Sequence, residues 1–102
     1  MKRIFVLSAV GLLLLPGAAC ADDELYKAKN CMACHRVDRN LLGPSFRSIA
    51  AKYVDDKTAE AALTKKIREG GAGVWGQVPM PPQPQVTEAE AVTLARWILQ
   101  LK

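Results

Sequence analysis

Cys31-Met32-Ala33-Cys34-His35 is the stretch on which the reading of this 102-residue chain turns. It places two thiols three positions apart and sets the chain's single imidazole directly behind the second. Three chemistries share such a C-x-x-C-H pattern. A zinc site needs four ligands, whereas residues 22–102 offer two Cys, one His and only scattered carboxylates. A thioredoxin-like dithiol sits in a βαβ environment, and no alternating strand pattern surrounds these residues. The third is c-type haem attachment. There the two thiols add across the two vinyl groups, the two-residue spacer lets one helical turn present both sulfurs to one porphyrin edge, and the next histidine becomes an axial ligand.

The beginning of the chain favours the third reading. Lys2 and Arg3 form a basic end, residues 4–15 an apolar run, and Pro16-Gly17 a break before Ala19-Cys20-Ala21. Twelve residues rise only about 18 Å as a helix, short of a bilayer core of roughly 30 Å. The segment reads as a Sec-type signal peptide over residues 1–21, cleaved after Ala21. A competing reading lipidates Cys20, but the large aliphatic residue usual three places earlier is missing. Covalent haem attachment takes place on the far side of the bacterial inner membrane, so an exported chain fits it.

Subtracting the leader changes the averages. The whole chain is 50% hydrophobic with a formal charge of +4, but residues 22–102 carry 12 cations against 10 anions. That balance is too mild for a disordered or nucleic-acid-coating chain. A domain of this size also buries too little apolar surface to be comfortable without a staple. Two cysteines three apart close too small a loop to provide one, and a covalently held porphyrin would supply the missing apolar centre.

Residues 22–102 read as one all-α domain. Leu94, Trp97, Ile98 and Leu101 fall on one helical stripe, opened by the capping box Thr87/Glu90. A second helix is expected over 57–69, begun by Asp55 or Asp56, striped by Ala59, Leu63 and Ile67, and ended by Gly70-Gly71. A third is expected over 23–30, leading into the cysteines, and a shorter helical turn over 45–53. The loops 39–44 and 70–85 lie between, and no strand is expected.

A haem whose first axial ligand is His35 needs a second. Met32 is trapped in the spacer and Met1 leaves with the leader, so Met80 is the remaining thioether. It sits in Val78-Pro79-Met80-Pro81-Pro82, where the prolines fix the backbone. His/Met ligation raises the reduction potential and closes both iron faces.

With Gly43-Pro44, Ala50-Ala51-Lys52-Tyr53, Lys66-Ile67, Gly73-Val74-Trp75-Gly76, Pro79-Met80-Pro81-Pro82 and Leu94-Ala95-Arg96-Trp97-Ile98-Leu99 added to the haem motif, residues 22–102 resemble the small class I bacterial cytochromes c of the c-551/c-552 type. The resemblance implies a class I cytochrome c fold of three to four short helices around one covalently attached haem c per chain. It implies that the Pro44 carbonyl accepts from His35 Nδ1, that the Trp75 indole bonds a haem propionate, and that Lys66 is a cationic propionate partner. The expected site is therefore Cys31, Cys34, His35, Pro44, Lys66, Trp75 and Met80, with His35 and Met80 on the iron. Tyr26, Leu41, Leu42, Phe46, Tyr53, Leu63, Ile67, Val74, Val78, Leu94 and Trp97 are expected to pack on the haem.

The functional expectation is a monomeric periplasmic one-electron carrier, not an enzyme, with no nucleic-acid partner and no stable membrane insertion after cleavage. By resemblance, electrons arrive from a quinol-oxidising complex or another cytochrome and leave to a terminal oxidase, nitrite reductase or peroxidase. Lys27, Lys29, Arg36 and Arg39 are candidates for a docking rim, with Val37 and Val78 nearer the contact. The alternatives are a haem peroxidase-like enzyme domain and a small-ligand haem sensor, each of which needs an open iron face.

Overall fold

The computed structural model of the chain describes residues 10–11 and 19–102, so most of the expected leader over 1–21 lies outside the described residues. Four α-helices follow in order: α1 (Ala19–Ala28), α2 (Phe46–Lys52), α3 (Ala59–Glu69) and α4 (Glu88–Leu99), with a short 3-10 turn at Cys31–Ala33. Among the described residues there is no strand, only an isolated antiparallel bridge between Gly71 and Met80. The all-α expectation holds.

Helix α4 is the spine. Thr87 Oγ1 accepts from Glu90 N (3.2 Å) and the Glu90 carboxylate accepts from Thr87 N (3.0 Å), the reciprocal pair the sequence announced. Its buried face is Ala91, Leu94, Ala95 and Ile98, with Trp97 and Leu101 half-buried at the margin. Ala91 and Ala95 are fully buried, and their small side chains let neighbouring helices come close. Helix α3 makes the most extensive contact with α4, and α1 and α2 complete the packing. Leu94 and Val86 are the largest fully enclosed side chains, and such burial stabilises by about 1.5–3 kcal/mol for each.

Two helix starts differ from expectation. Helix α3 begins at Ala59, two residues late, because Asp56 acts one step earlier: its Oδ1 accepts from Thr58 N (2.8 Å) and Thr58 Oγ1 (2.6 Å). Those bonds shape the entering turn and hold the Asp56 carboxyl below its ordinary range. The stripe of Ala59, Leu63 and Ile67 is buried as expected, and Gly70 closes the helix at φ 69°. Helix α1 begins at Ala19, four residues before the expected 23, and stops at Ala28, two short of 30. It stops there because Asn30 takes a left-handed conformation (φ 66°), which its short polar side chain tolerates. Helix α2 matches its expectation, with Ser45 Oγ accepting from Ser48 N at 3.1 Å.

Candidate functional site

The reversal at Asn30 delivers the chain into the Cys31–Ala33 turn. Cys34 N and His35 N both donate to the Cys31 carbonyl, at 3.2 and 2.9 Å, so both thiols and the imidazole leave one tight turn. Cys31 and Cys34 are half-buried and form no disulfide with each other. Burial pushes the Cys31 thiol above its ordinary range.

His35 is buried, and its environment holds it at several points. Nδ1 lies 2.8 Å from the Pro44 carbonyl oxygen, which makes Nδ1 the protonated nitrogen and leaves Nε2 with its lone pair. The imidazole stacks on Phe46 with ring centres 5.1 Å apart at 24°. The His35 main-chain carbonyl accepts from Tyr26 Oη (3.0 Å) and from Arg36 Nη1 (2.8 Å), and the same Arg36 nitrogen reaches the Met32 carbonyl. Gly43 fits against the ring: a Cβ there would lie 2.5 Å from Cε1 and 2.9 Å from Nδ1. Gly43 N donates to the Cys34 carbonyl (2.8 Å), while Phe46 N and Arg47 N donate to the carbonyls of Arg36 and Val37. These bonds lash the loop 39–44 and the start of α2 to the cysteine turn.

Met80 stands in the other loop, half-buried, with its backbone paired to Gly71 in both directions at 2.9 and 2.8 Å. Lys66, in the last turn of α3, extends its Nζ over Gly71, 2.8 Å from where a Cβ would stand there. Trp75 is 47% exposed at the tip of the loop, and Lys52 Nζ lies 5.5 Å from its ring centre. The seven expected residues thus form three groups. Cys31, Cys34, His35 and Pro44 are joined directly, Met80 and Lys66 meet at Gly71, and Trp75 meets Lys52.

Several supports were not legible in sequence. Tyr26 is 3% exposed in an aromatic cluster with Phe46 and Trp97, and burial raises its phenol above the ordinary range. Phe46, Leu63, Ile67 and Leu94 are buried in the same core. Lys52 was part of a recognised block, but nothing in its spacing pointed to Trp75. Lys29, a docking-rim candidate, has its Nζ on Glu90 Oε2 (3.1 Å) and the Gln85 carbonyl (3.2 Å).

Tyr53 is half-buried against that core, whereas four other expected packing residues are exposed. Leu41, Leu42, Val74 and Val78 are 49–67% exposed, all on the loops 39–44 and 70–85. Two neighbouring thiols, an imidazole with an oriented and available Nε2, and loops bearing exposed large apolar side chains are the donor set and lining that a covalently attached haem requires. The residues present fit that group.

The comparisons agree with this geometry. The family model described as Cytochrome c matches residues 23–102. The chain is 50% identical over 94 residues to cytochrome c-552 of Nitrosomonas europaea, covering 92% of this chain and 91% of that one. It is 46% identical over 105 residues to cytochrome c-551 of Pseudomonas aeruginosa, covering both chains fully. The crystal structure of wild-type Nitrosomonas europaea cytochrome c552 superposes with a TM-score of 0.77 at 50% identity, covering 78% of this chain and 99% of that one.

Proposed function

The chain belongs to the cytochrome c family, a small electron carrier with one covalently attached haem c rather than an enzyme, and from that premise we propose that it shuttles single electrons in the periplasm with its iron held between His35 and Met80. The haem supplies the Fe(II)/Fe(III) couple. Everything else is the work of the chain's own side chains.

In this reading Cys31 and Cys34 carry the thioether bonds and His35 Nε2 is one axial ligand. The observation that carries it is the 2.8 Å contact between His35 Nδ1 and the Pro44 carbonyl, which sets the tautomer and orients the ring. The stacked Phe46 supports the ring, and the two donors on the His35 carbonyl hold its backbone. Met80, fixed by its backbone to Gly71, would hold the iron together with His35. Two saturated positions on rigid supports leave little geometry to reorganise on electron transfer. With both residues on the iron, no face would remain for peroxidase or sensor chemistry. Trp75 and Lys66 are the propionate partners; the exposed indole of Trp75 is braced by Lys52 on its face, and Lys66 already extends over the Met80 loop.

The leader over 1–21 directs export and is removed, and no helix among the described residues is long and apolar enough to cross a membrane. Redox partners dock on a positive rim. Lys27, Arg36 and Arg39 share one shallow concavity with Met32 and Val37, while Asp23 and Asp38 temper its charge. Such a rim governs association rate and its salt dependence more than affinity. The donor is a quinol-oxidising complex or another cytochrome, and the acceptor a terminal oxidase, nitrite reductase or peroxidase.

Met80→Ala tests the ligand set. The oxidised protein should lose its thioether-to-iron charge-transfer band, and the midpoint potential should fall. A variant that keeps both would remove Met80 from the iron.

A further inference from the structure

We propose that Gly70 is a positioning residue for Met80: its missing side chain lets the Met80 carbonyl and the Pro81-Pro82 backbone seat directly on the C-terminal end of α3, fixing the point from which the Met80 side chain departs. The inference rests on Met80 being the axial ligand and names what aims it.

Gly70 ends α3, its N–H donating to the Lys66 carbonyl at 2.8 Å. Its dihedral angles, φ 69° and ψ −159°, fall in a region that essentially only glycine enters. A Cβ built there would overlap the Met80 carbonyl oxygen and lie 2.8 Å from both Pro81 C and Pro82 N. All three are backbone atoms, so no side-chain rotation relieves the clash. The segment it would strike is held in place from both sides. Gly71 N donates to the Met80 carbonyl, Met80 N donates to the Gly71 carbonyl, and Gln83 N donates to the Arg68 carbonyl at 3.2 Å. Pro81 and Pro82 have no N–H with which to form a substitute ladder. Close seating on α3 is therefore the arrangement that these bonds specify, and a bare α-carbon at residue 70 permits it.

The other glycines of the loop separate this effect from simple backbone strain. Gly73 (φ 105°) and Gly76 (φ 118°) are also in the positive-φ region, but a Cβ on either would meet no atom within 4 Å. Gly71 (φ 137°) would meet only the flexible end of Lys66. A side chain at 73 strains the backbone locally; one at 70 must also lift Met80, Pro81 and Pro82 off the helix.

The experiment compares Gly70→Ala, Gly73→Ala, Met80→Ala and the double variant Gly70→Ala/Met80→Ala, all as haem-loaded proteins. The readouts are the charge-transfer band, the midpoint potential and far-UV helicity. Gly70→Ala should lose most of the band and move toward the Met80→Ala potential with its helicity retained. Gly73→Ala should keep the band, and the double variant should look like Met80→Ala alone. A native band and potential in Gly70→Ala, or equal losses in Gly70→Ala and Gly73→Ala, would overturn the inference. So would a helicity loss from Gly70→Ala that is the same in the Met80→Ala background, because the effect would then be global. If instead Met80→Ala itself is spectrally native, the ligand assignment fails rather than the positioning role. Hydrogen exchange on the unaltered haem-loaded protein covers the case in which Gly70→Ala does not accumulate. The amides of Gly71, Met80 and Gln83 should be protected together, at least about tenfold beyond the exposed Gln77. Exchange of all three as fast as Gln77 would overturn the proposal.

Discussion

Helix α4 and the loop 70–85 that leads into it are neighbours in the chain but are held by different forces. The helix buries Ala91, Leu94, Ala95 and Ile98 against other helices, and its first turn is closed by its own capping box. The loop keeps every residue from 71 to 79 exposed, including Val74, Trp75 and Val78. It holds its shape through backbone pairs, Gly71 with Met80 and Gly73 N with the Gly76 carbonyl (2.8 Å), and through prolines with preset φ. One region is stabilised by apolar area that the protein provides for itself. The other, in the proposed reading, is shaped in advance for apolar area that the haem would provide.

The sharpest way to break this contrast is to withhold the haem. Cys31→Ala/Cys34→Ala should abolish haem stain on a denaturing gel and remove the cooperative thermal transition, because the loops lose the surface they are shaped for while the helices keep only a small core. A cooperative transition in the stain-negative variant would show that the helical half suffices alone. Next in size is Leu94→Ala, which strikes the self-sufficient half. At 2% exposure the truncation should cost about 2–5 kcal/mol in chemical denaturation, with the charge-transfer band intact.

Smaller effects sharpen the boundary between the two regions. Thr87→Ala removes the α4 cap and should cost about 1 kcal/mol. Its partner Glu90 accepts from Thr87 N and is paired with Lys29, which together hold its carboxyl below the ordinary range. That contribution is fully present above the ordinary glutamate pKa and is lost as pH falls through the lowered one, since the unfolded chain then binds the proton first. The acid limb of the thermal midpoint should therefore be shallower in Glu90→Gln than in the unaltered protein. An identical limb would exclude Glu90 as a source of acid sensitivity. The smallest expected effect is that of Lys52→Ala, about 0.5–1 kcal/mol from the lost cation–π contact, read as a change in Trp75 fluorescence with the potential little moved.

What could be read in advance followed the same division. Helices α3 and α4 were legible because burial imposes a period: Ala59, Leu63 and Ile67 on one, Leu94 and Ile98 on the other, with Thr87, Glu90 and Gly70 as punctuation. The boundary errors at α1 and α3 came from local turns, Asn30 and the Asp56–Thr58 pair, whose hydrogen bonds carry no period. The C-x-x-C-H motif is legible because its chemistry fixes its spacing, and the structure adds the Pro44 contact that the resemblance implied. The loop was legible in composition but not in geometry. Its glycines and prolines announce a fixed shape, yet pairing Gly71 with Met80, or Lys52 with Trp75, depends on how the chain returns through space. The expected haem-packing residues divide into buried and exposed sets for a related reason. Tyr26, Phe46, Leu63, Ile67 and Leu94 have the same apolar signature as Leu41 and Val78, and only the fold separates the core from the exposed lining.

Lys29 and Gln85 have a consequence of their own for the route by which the chain folds. The side chain of each bonds the main-chain carbonyl of the other at 3.2 Å, 56 positions apart. Every residue proposed to bond the haem or its iron, from Cys31 to Met80, lies inside the loop that this clasp closes. Bringing such distant residues together carries an entropy penalty that grows with the logarithm of the intervening length. A haem anchored at Cys31 and Cys34 and ligated by Met80, as proposed, would short-circuit most of that length and reduce the penalty by on the order of 1 kcal/mol. The clasp is thus a late contact in the bare chain and an earlier one once the haem is in place, so attachment would set the order of folding as well as its end point.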